Sequence, residues 1–585
     1  MSPVRIANMS GFYGDRLSAA KEMVEGGEID FLTGDYLAEL TMAILHKSIL
    51  KNPSAGYARS FVKQMEMVMG TCLDKGIKVV VNAGGLNPTG LAKALQDLAD
   101  SLGFHPKIAS VSGDDLMPRM QELTKQGASL THIDTGMSLA ESELMPVSAN
   151  AYLGCWGIVD ALKQGADIVI TGRVADTSVV MGPAAYHYDW QHSDWDRLAG
   201  AATAGHIIEC SGQTSGGNYS LFEEVHNWNN VGFPIATINK DGSCIISKHE
   251  GTGGLISVGT VTAQLLYEIN APAYITPDVI AHFDTIQLKQ HADNQVSVSG
   301  VKGSPATDQS KVTINCLGGF QNALTFYFAG LNNERKVDIF KEQFINSMGG
   351  EHVFDELYFD YYPTHKDNPK SNEEALATLK ISVADKDPQK AGKLFTSKII
   401  ELALCSVPGF CISDAPGPAK PRIIHFPALI NKSFITQVIK IGEEEIKLSE
   451  KRTFENTEGF NSVSDKQLNK TSSFGETKEE YIGTVYAARS GDKGGNANLG
   501  IWGKTKKAYD YLDQYLTVEK LKEIMKDAEP FDIERYEFPN LYGLNFYIKG
   551  FLGDGVAANS KIDGQAKTLG EYLRAKKIEL PISLI

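Results

Sequence analysis

The sequence predicts an α/β protein: a large domain on a mostly parallel sheet with a mixed β portion, then a small C-terminal α+β domain. Three observations predict it. Over the first part of the chain, short β-branched apolar runs alternate with helical segments, the pattern of strands covered by helices. Many of those runs end in Gly, Asn or Asp, as strands do where an open sheet presents a binding edge. The residues beyond about 479 follow a polar, charged segment and have the natural size of a separate compact unit.

The central element is the run Ile77 to Val81, apolar and β-branched as a buried parallel strand is. Asn82-Ala83-Gly84-Gly85 follows, where backbone can turn tightly and approach a ligand. Asn87 then caps a helix with Pro88 in its first turn. In chain order, 4–7 is a strand, 10–16 a loop and the helix after it runs to about 25. The strand at 29–33 ends in Gly34-Asp35-Tyr36, and a helix over 57–74 leads into the central strand. Residues 108–111 form a strand ending in Ser112-Gly113-Asp114-Asp115, and 130–133 one more. A helix over 151–164 precedes the strand 166–170, which ends in Thr171-Gly172-Arg173-Val174-Ala175-Asp176.

A helix is expected from 193 to 210, a glycine loop over 212–219, a hairpin over 235–246 turning at Asp241-Gly242, and a helix from 255 after Gly251-Thr252-Gly253-Gly254. Residues 279–330, rich in Val, Thr, Phe and Tyr, read as a mixed or antiparallel sheet, and their apolar content points to a homo-oligomer. One more αβ unit fits 373–410. The polar stretch 443–478 reads as linker or mobile surface. Then come a strand at 481–488, a glycine-rich loop at 489–499, a helix at 509–525, a strand at 544–552 and a helix at 567–576. The expected domains are 1–450, with subdomains meeting near 190, a linker at 451–478, and 479–585.

The 585 residues carry a net charge of −15, which argues against a nucleic-acid partner. The seven cysteines include no Cys-x-x-Cys pair and suit a reducing compartment. The start has no basic region followed by an apolar one, and no apolar run is long enough for a bilayer, so a cytoplasmic location without a membrane partner is expected.

Parallel strands bring their C-terminal loops to one rim. The candidates for catalysis there are Asp15, Asn82, Asp115 and Arg173. Gly14, Arg16, Asp35, Gly84, Gly85, Asn87, Asp114 and Asp176 are candidates for substrate binding. Asp15, Asp35 and Asp176 equally suit N-caps, and Arg16 and Arg173 suit either rim carboxylates or a substrate carboxylate or phosphate. Asp114-Asp115 invites a divalent metal such as Mg²⁺; no zinc spacing occurs. Gly216, Gly217, Gly253 and Gly254 suit a nucleotide or coenzyme A pyrophosphate through free backbone N–H groups, or else tight turns. Arg489, Asp492, Lys493 and Asn496 form a polar loop able to close over the rim. No Gly-x-Ser-x-Gly elbow is present.

The motifs Gly11-Phe12-Tyr13-Gly14-Asp15-Arg16, Asn82 to Pro88, Thr171 to Asp176, Gly251 to Gly254 and Tyr274-Ile275-Thr276-Pro277-Asp278 closely resemble the acyclic terpene utilisation (AtuA) family over about 1–450. Arg489 to Asn498 resembles the motif of the small ferredoxin-like domain that ends many members. The resemblance implies a cytoplasmic bacterial protein in catabolism of citronellol-like terpenoids or branched acyl-CoA compounds, and it brings no catalytic residues. The expectation is an enzyme acting on a branched acyl-CoA or related acid. A rim Asp serves as base or acid, and Arg or Asn stabilises developing charge. Lyase, hydratase and acyl transfer remain open. The rival is a non-catalytic accessory or binding protein for an acyl-CoA carboxylase pathway.

Overall fold

Strands buried on both faces need apolar side chains at every position, and the central runs have them. In the computed structural model, which describes residues 2–449 and 474–585, five such strands lie parallel. They are β1 (Val4–Asn8), β2 (Phe31–Gly34), β3 (Lys78–Val81), β4 (Ile108–Ser112) and, further along, Ile168–Thr171, in the order β1-β2-β3-(Ile168–Thr171)-β4. Val79 and Val81 pack under the helices Ala19–Glu25, Arg59–Lys75 and Pro88–Leu102. Val80 packs on the other face, under Trp156–Lys163, Ser178–Tyr188 and Trp195–Ile208.

That division places the site. β3 hands the chain to the helix Pro88–Leu102 on one face, and its neighbour Ile168–Thr171 hands it to Ser178–Tyr188 on the other. The loops 82–87 and 172–177 therefore diverge and open a crevice at the sheet's carboxyl edge. Below the crevice the backbones touch: Gly84 N–H donates to Thr171 O at 3.0 Å.

Antiparallel strands extend this sheet to eleven. Pro234–Ile238, Cys244–Lys248, Gln295–Ser299 and Gln287–Ala292 continue beyond β1, and Thr436–Ile441 and Glu444–Ser449 beyond β4. The expected division near 190 is thus not a break, because later residues complete the first sheet. The expected linker also begins too early: 444–449 is a strand. Residues 450–473 of that expectation lie outside the described residues, and a strand, Thr477–Tyr481, covers its end.

A second sheet is built on the 21-residue strand Gln309–Ala329, with Lys420–Asn431, Leu376–Asp385 and Glu356–Tyr362. Two expectations fail here. Thr131–His132, β5, pairs with Lys420–Asn431 rather than with the parallel strands. Residues 145–151 form β6 (Met145–Ala151) against Gln309–Ala329, so the next helix starts only at Trp156. Ile168–Thr171 is accordingly β7.

In the C-terminal domain Tyr486–Lys493, Asn496–Gly503, Gly543–Ile548 and Ile533–Phe538 form an antiparallel sheet. The expected glycine-rich loop 489–499 is a hairpin: Tyr486–Lys493 pairs with Asn496–Gly503 from Tyr486↔Gly503 to Lys493↔Asn496. Ala488, Ile501 and Phe546 face this domain's own helices. Ala487, Trp502, Tyr536 and Tyr547 join the large domain's core. Asn498 fixes the seam: it accepts Glu268 N–H at 2.8 Å and donates to Leu266 O at 2.8 Å. Gly500 permits the approach, since a Cβ there would lie 2.7 Å from Leu266 Cβ.

A methyl on Gly84 would lie 2.5 Å from Thr171 O and 2.8 Å from Pro88 Cα, both backbone atoms. Gly84→Ala is expected to lower unfolding free energy by about 1–3 kcal/mol, the range for overpacking a close junction, measured by urea denaturation.

Candidate functional site

Asn82 sits at the end of β3, fully buried. Its amide donates to Asp35 Oδ1 at 2.5 Å and its oxygen accepts Tyr36 N–H at 2.7 Å. It thereby locks the loop after β2 to the loop after β3. Arg173, from the loop after β7, is buried beside them. Its guanidinium donates to Leu37 O at 3.0 Å, Asp176 Oδ1 at 2.7 Å and Tyr152 Oη at 2.7 Å. It also lies over the Tyr152 ring, 4.2 Å from the centroid. Tyr152 Oη donates in turn to Glu39 Oε1 at 3.1 Å, which also accepts Lys311 Nζ at 3.0 Å. Asp114 accepts Arg173 N–H and Asn150 Nδ2, both at 2.8 Å. It holds the Arg173 loop in place.

Opposite this floor stand groups from the C-terminal end of the helix Trp195–Ile208, the turn after Val258–Leu265, and the C-terminal hairpin. His206 Nδ1 lies 3.1 Å from Glu209 Oε1, and Nε2 lies 3.0 Å from Gln264 O. Lys567 bridges Glu268 at 3.1 Å and Asp492 at 3.2 Å. Arg489 stacks over Tyr267, 4.3 Å from its centroid, and donates to Gln213. Lys493, in the hairpin, acts electrostatically on Asp176, Glu209 and Glu268 together. The hairpin therefore roofs the rim.

Side chains between floor and roof stay partly open to water. Asp176 keeps 29 %, Lys311 28 % and Glu268 34 % of side-chain surface accessible. Desolvation is nonetheless the leading influence on the titration of each. Groups enclosed by protein yet open to water line an internal cleft.

The cleft separates its acids. Burial, then the charge of Asp176, pushes Asp35 well above its ordinary range. Burial and the same neighbour push Glu209 up. Burial alone would raise Glu39 too, but Lys311, His425 and Arg173 outweigh it and hold Glu39 well below. Burial, then Lys493, brings His206 down to about 4. The carbonyl of Gln264 assigns the ring proton to Nε2.

Several expected site residues are spent elsewhere. Asp15 accepts the N–H groups of Gly11 and Arg16 at 2.8 and 2.7 Å, closing its own loop, with Gly14 packed by Phe12. Arg16 binds Glu22 at 2.8 Å and Val231 O at 2.9 Å. Asn87 is the helix cap, accepting Gly90 N–H at 2.9 Å. Gly84 and Gly85 serve close packing; Gly85, at φ +51°, is crowded by Leu45 and Gly56 O. Gly216, Gly217, Gly253 and Gly254 donate their N–H groups to Gln213, Gly212, Asn230 and His226 carbonyls, so they offer no phosphate cradle. Asn496 is engaged by Tyr547 Oη at 2.6 Å and Gly550 N–H at 2.7 Å. Asp115 is exposed and accepts Met117 N–H at 3.0 Å while Asp114 is buried on Arg173, so the two do not form a metal pair. Among the described residues no group of three His, Cys, Asp or Glu is placed to hold a metal ion.

Asp35, Asn82, Asp114, Arg173, Asp176, Arg489, Asp492 and Lys493 do come together. Glu39, Tyr152, Lys311, His206, Glu209, Glu268 and Lys567 join them unforeseen. Glu39 follows the Gly34-Asp35 loop and Glu209 precedes the glycine loop at 212, signals that could have pointed to them. Lys311 and Lys567 carry no such mark.

The family model for the acyclic terpene utilisation family protein AtuA matches residues 4–441, and that for the AtuA ferredoxin-like domain matches residues 482–579. No curated protein and no solved structure matches. Among the described residues no helix is long and apolar enough to cross a membrane.

Arg173→Met removes the cation hydrogen-bonded to Asp176 and is expected to cost about 3 kcal/mol of stability, read by denaturant unfolding. Acid stability is a second measure. Unfolded histidine protonates near 6.5, but buried His206 and His425 do so only at about 4, so acidification over that window favours unfolding. Burial raises Asp114 and Asp492 from 3.8 to about 6, so the fold takes up their protons first and gains stability over much the same window. Asp492→Asn removes one such gain. Its stability should fall more steeply from pH 6 to pH 4 than that of the wild type, followed by urea unfolding at stepped pH.

Proposed function

The chain belongs to the AtuA family, and from that premise we propose that it is an enzyme of acyclic terpenoid or branched-chain acyl degradation with the roofed cleft as its active site. One arrangement carries the reading: carboxyls that burial pushes up, a carboxylate that cations hold down, and fixed cations lie together around side chains still partly open to water. Asp176, water-accessible beside Arg173, is placed to take a proton as general base. Glu209, backed by His206, is placed to return one as general acid. Arg173, Lys311 and Lys493 hold positive charge where an enolate or carboxylate would develop, in a site whose low dielectric strengthens them.

This equipment suits proton transfer next to a carbonyl, as in a lyase or hydratase, better than acyl transfer. Cys210 borders the cleft, but burial and Glu209 push its thiol well above its ordinary range, so it is not an activated nucleophile. The substrate is a small anionic acid or its acyl thioester.

In a strain lacking this protein, grown on a citronellol-like terpenoid, wild type should restore growth. Asp176→Asn and Glu209→Gln should not, with about 10²-fold or greater loss expected for a group acting on the transition state. A branched acid or thioester should accumulate and identify the step. Growth restored by both variants overturns the proposal and leaves the non-catalytic accessory role.

A further inference from the structure

The second sheet has one apolar and one polar face. Leu357, Phe359 and Ile381 lie in the core under the helices Asn333–Met348 and Phe395–Glu401. Strand alternation puts Glu356, Tyr358, Asp360 and Tyr362 on the opposite face. There Tyr358 pairs with Ser382, and Asp360 with Lys380. The C-terminal domain's segment 551–563 faces it across a groove of about 1160 Å³. That is ample beside ordinary small-molecule sites of roughly 300–1000 Å³.

The groove is built as a polar site. Asp360 Oδ2, Ser382 Oγ and Arg422 Nε belong to residues that line it, are buried, and have no hydrogen-bond partner among the described residues. Buried polar atoms left open in one place call for a ligand that completes them. The acids nearby are partly spent. Arg422 engages Glu356 at 2.5 Å and Asp554 at 2.8 Å, and Asp563 accepts the N–H groups of Lys567 and Thr568. Lys420 and Lys561 have no carboxylate partner among the described residues; Lys561 lies over the Phe551 ring at 4.4 Å. Tyr358, 46 % exposed, and Tyr362 offer flat surfaces to a base.

One wall of the groove, at Asp554, touches His425, which lies between groove and cleft. Asp554 accepts His425 N–H at 3.3 Å. The His425 ring lies against the hairpin turn, where a Cβ on Gly494 would be 3.5 Å from Nδ1. On its other side His425 feels Glu39 and Lys311 of the cleft floor. Its Nε2 is buried without a hydrogen-bond partner among the described residues. A ligand with its base and phosphates in the groove and a flexible chain past His425 would bring its far end to Lys311 and Arg173.

We propose that the groove holds the phosphorylated nucleotide handle of the substrate, an acyl thioester of the coenzyme A kind whose acyl end enters the cleft. This rests on the reading of the cleft as the active site. It also moves nucleotide binding away from the glycine loops, whose N–H groups are already bonded.

Calorimetric titration of the full-length protein with ADP and with coenzyme A tests it. Both should bind saturably. Lys420→Glu combined with Lys561→Glu, two exposed changes, should weaken ADP at least tenfold, and Tyr358→Ala should weaken it as well. Asp176→Asn should leave ADP affinity unchanged. Absence of saturable binding by either probe, equal affinity in the charge-reversed protein, or loss of ADP binding in Asp176→Asn overturns the proposal. If the groove fails while the cleft variants still abolish growth on the terpenoid, the active-site reading stands without it.

Discussion

The buried guanidinium of Arg173 is the interaction on which the arrangement depends. Its side chain is 2 % exposed, and a charge so far from bulk water is tolerable only when surrounded by acceptors. Leu37 O, Asp176 and Tyr152 supply them from three separate stretches of chain, and Asp114 holds the backbone. Each of those partners imposes a further need. Tyr152 leans on Glu39, Glu39 on Lys311, and Asp176 on Lys493 of the other domain. The cleft is thus a chain of charge compensation running from the sheet edge to the roof.

The same logic explains why two domains make one molecule. The small antiparallel sheet is apolar on both faces because one covers its own helices and the other covers the large domain. Asn498 and Gly500 permit a close seam there, and the charged hairpin comes with it. Polar groups of the hairpin would be costly against an apolar surface, but Asn498, Arg489 and Lys493 meet Glu268, Gln213 and Asp176 instead.

Much of this was legible in the sequence. The runs at 77–81 and 166–170 read as buried strands, and the loops after them did gather at one edge with Asp35, Asn82, Arg173 and Asp176. The misplacements have local causes. Asp15, Asn87 and the glycine loops look functional, but backbone groups within a few residues or in the adjoining turn use up their hydrogen bonds. Arg489 to Asn498 is rich in glycine, yet it pairs as a hairpin whose second strand is buried at every position. The short run at 130–133 has strand composition but finds its partner in the second sheet.

By itself the sequence determined the class of fold, the parallel core and the presence of a separate terminal domain, because periodicity and glycine placement are local properties. The tertiary structure alone decided which charges face one another. Glu39 and Lys311 stand 272 positions apart and meet at 3.0 Å, and Asp176 feels a lysine from the other domain. Compensation of buried charge acts through space in a low-dielectric interior, and no spacing along the chain records it.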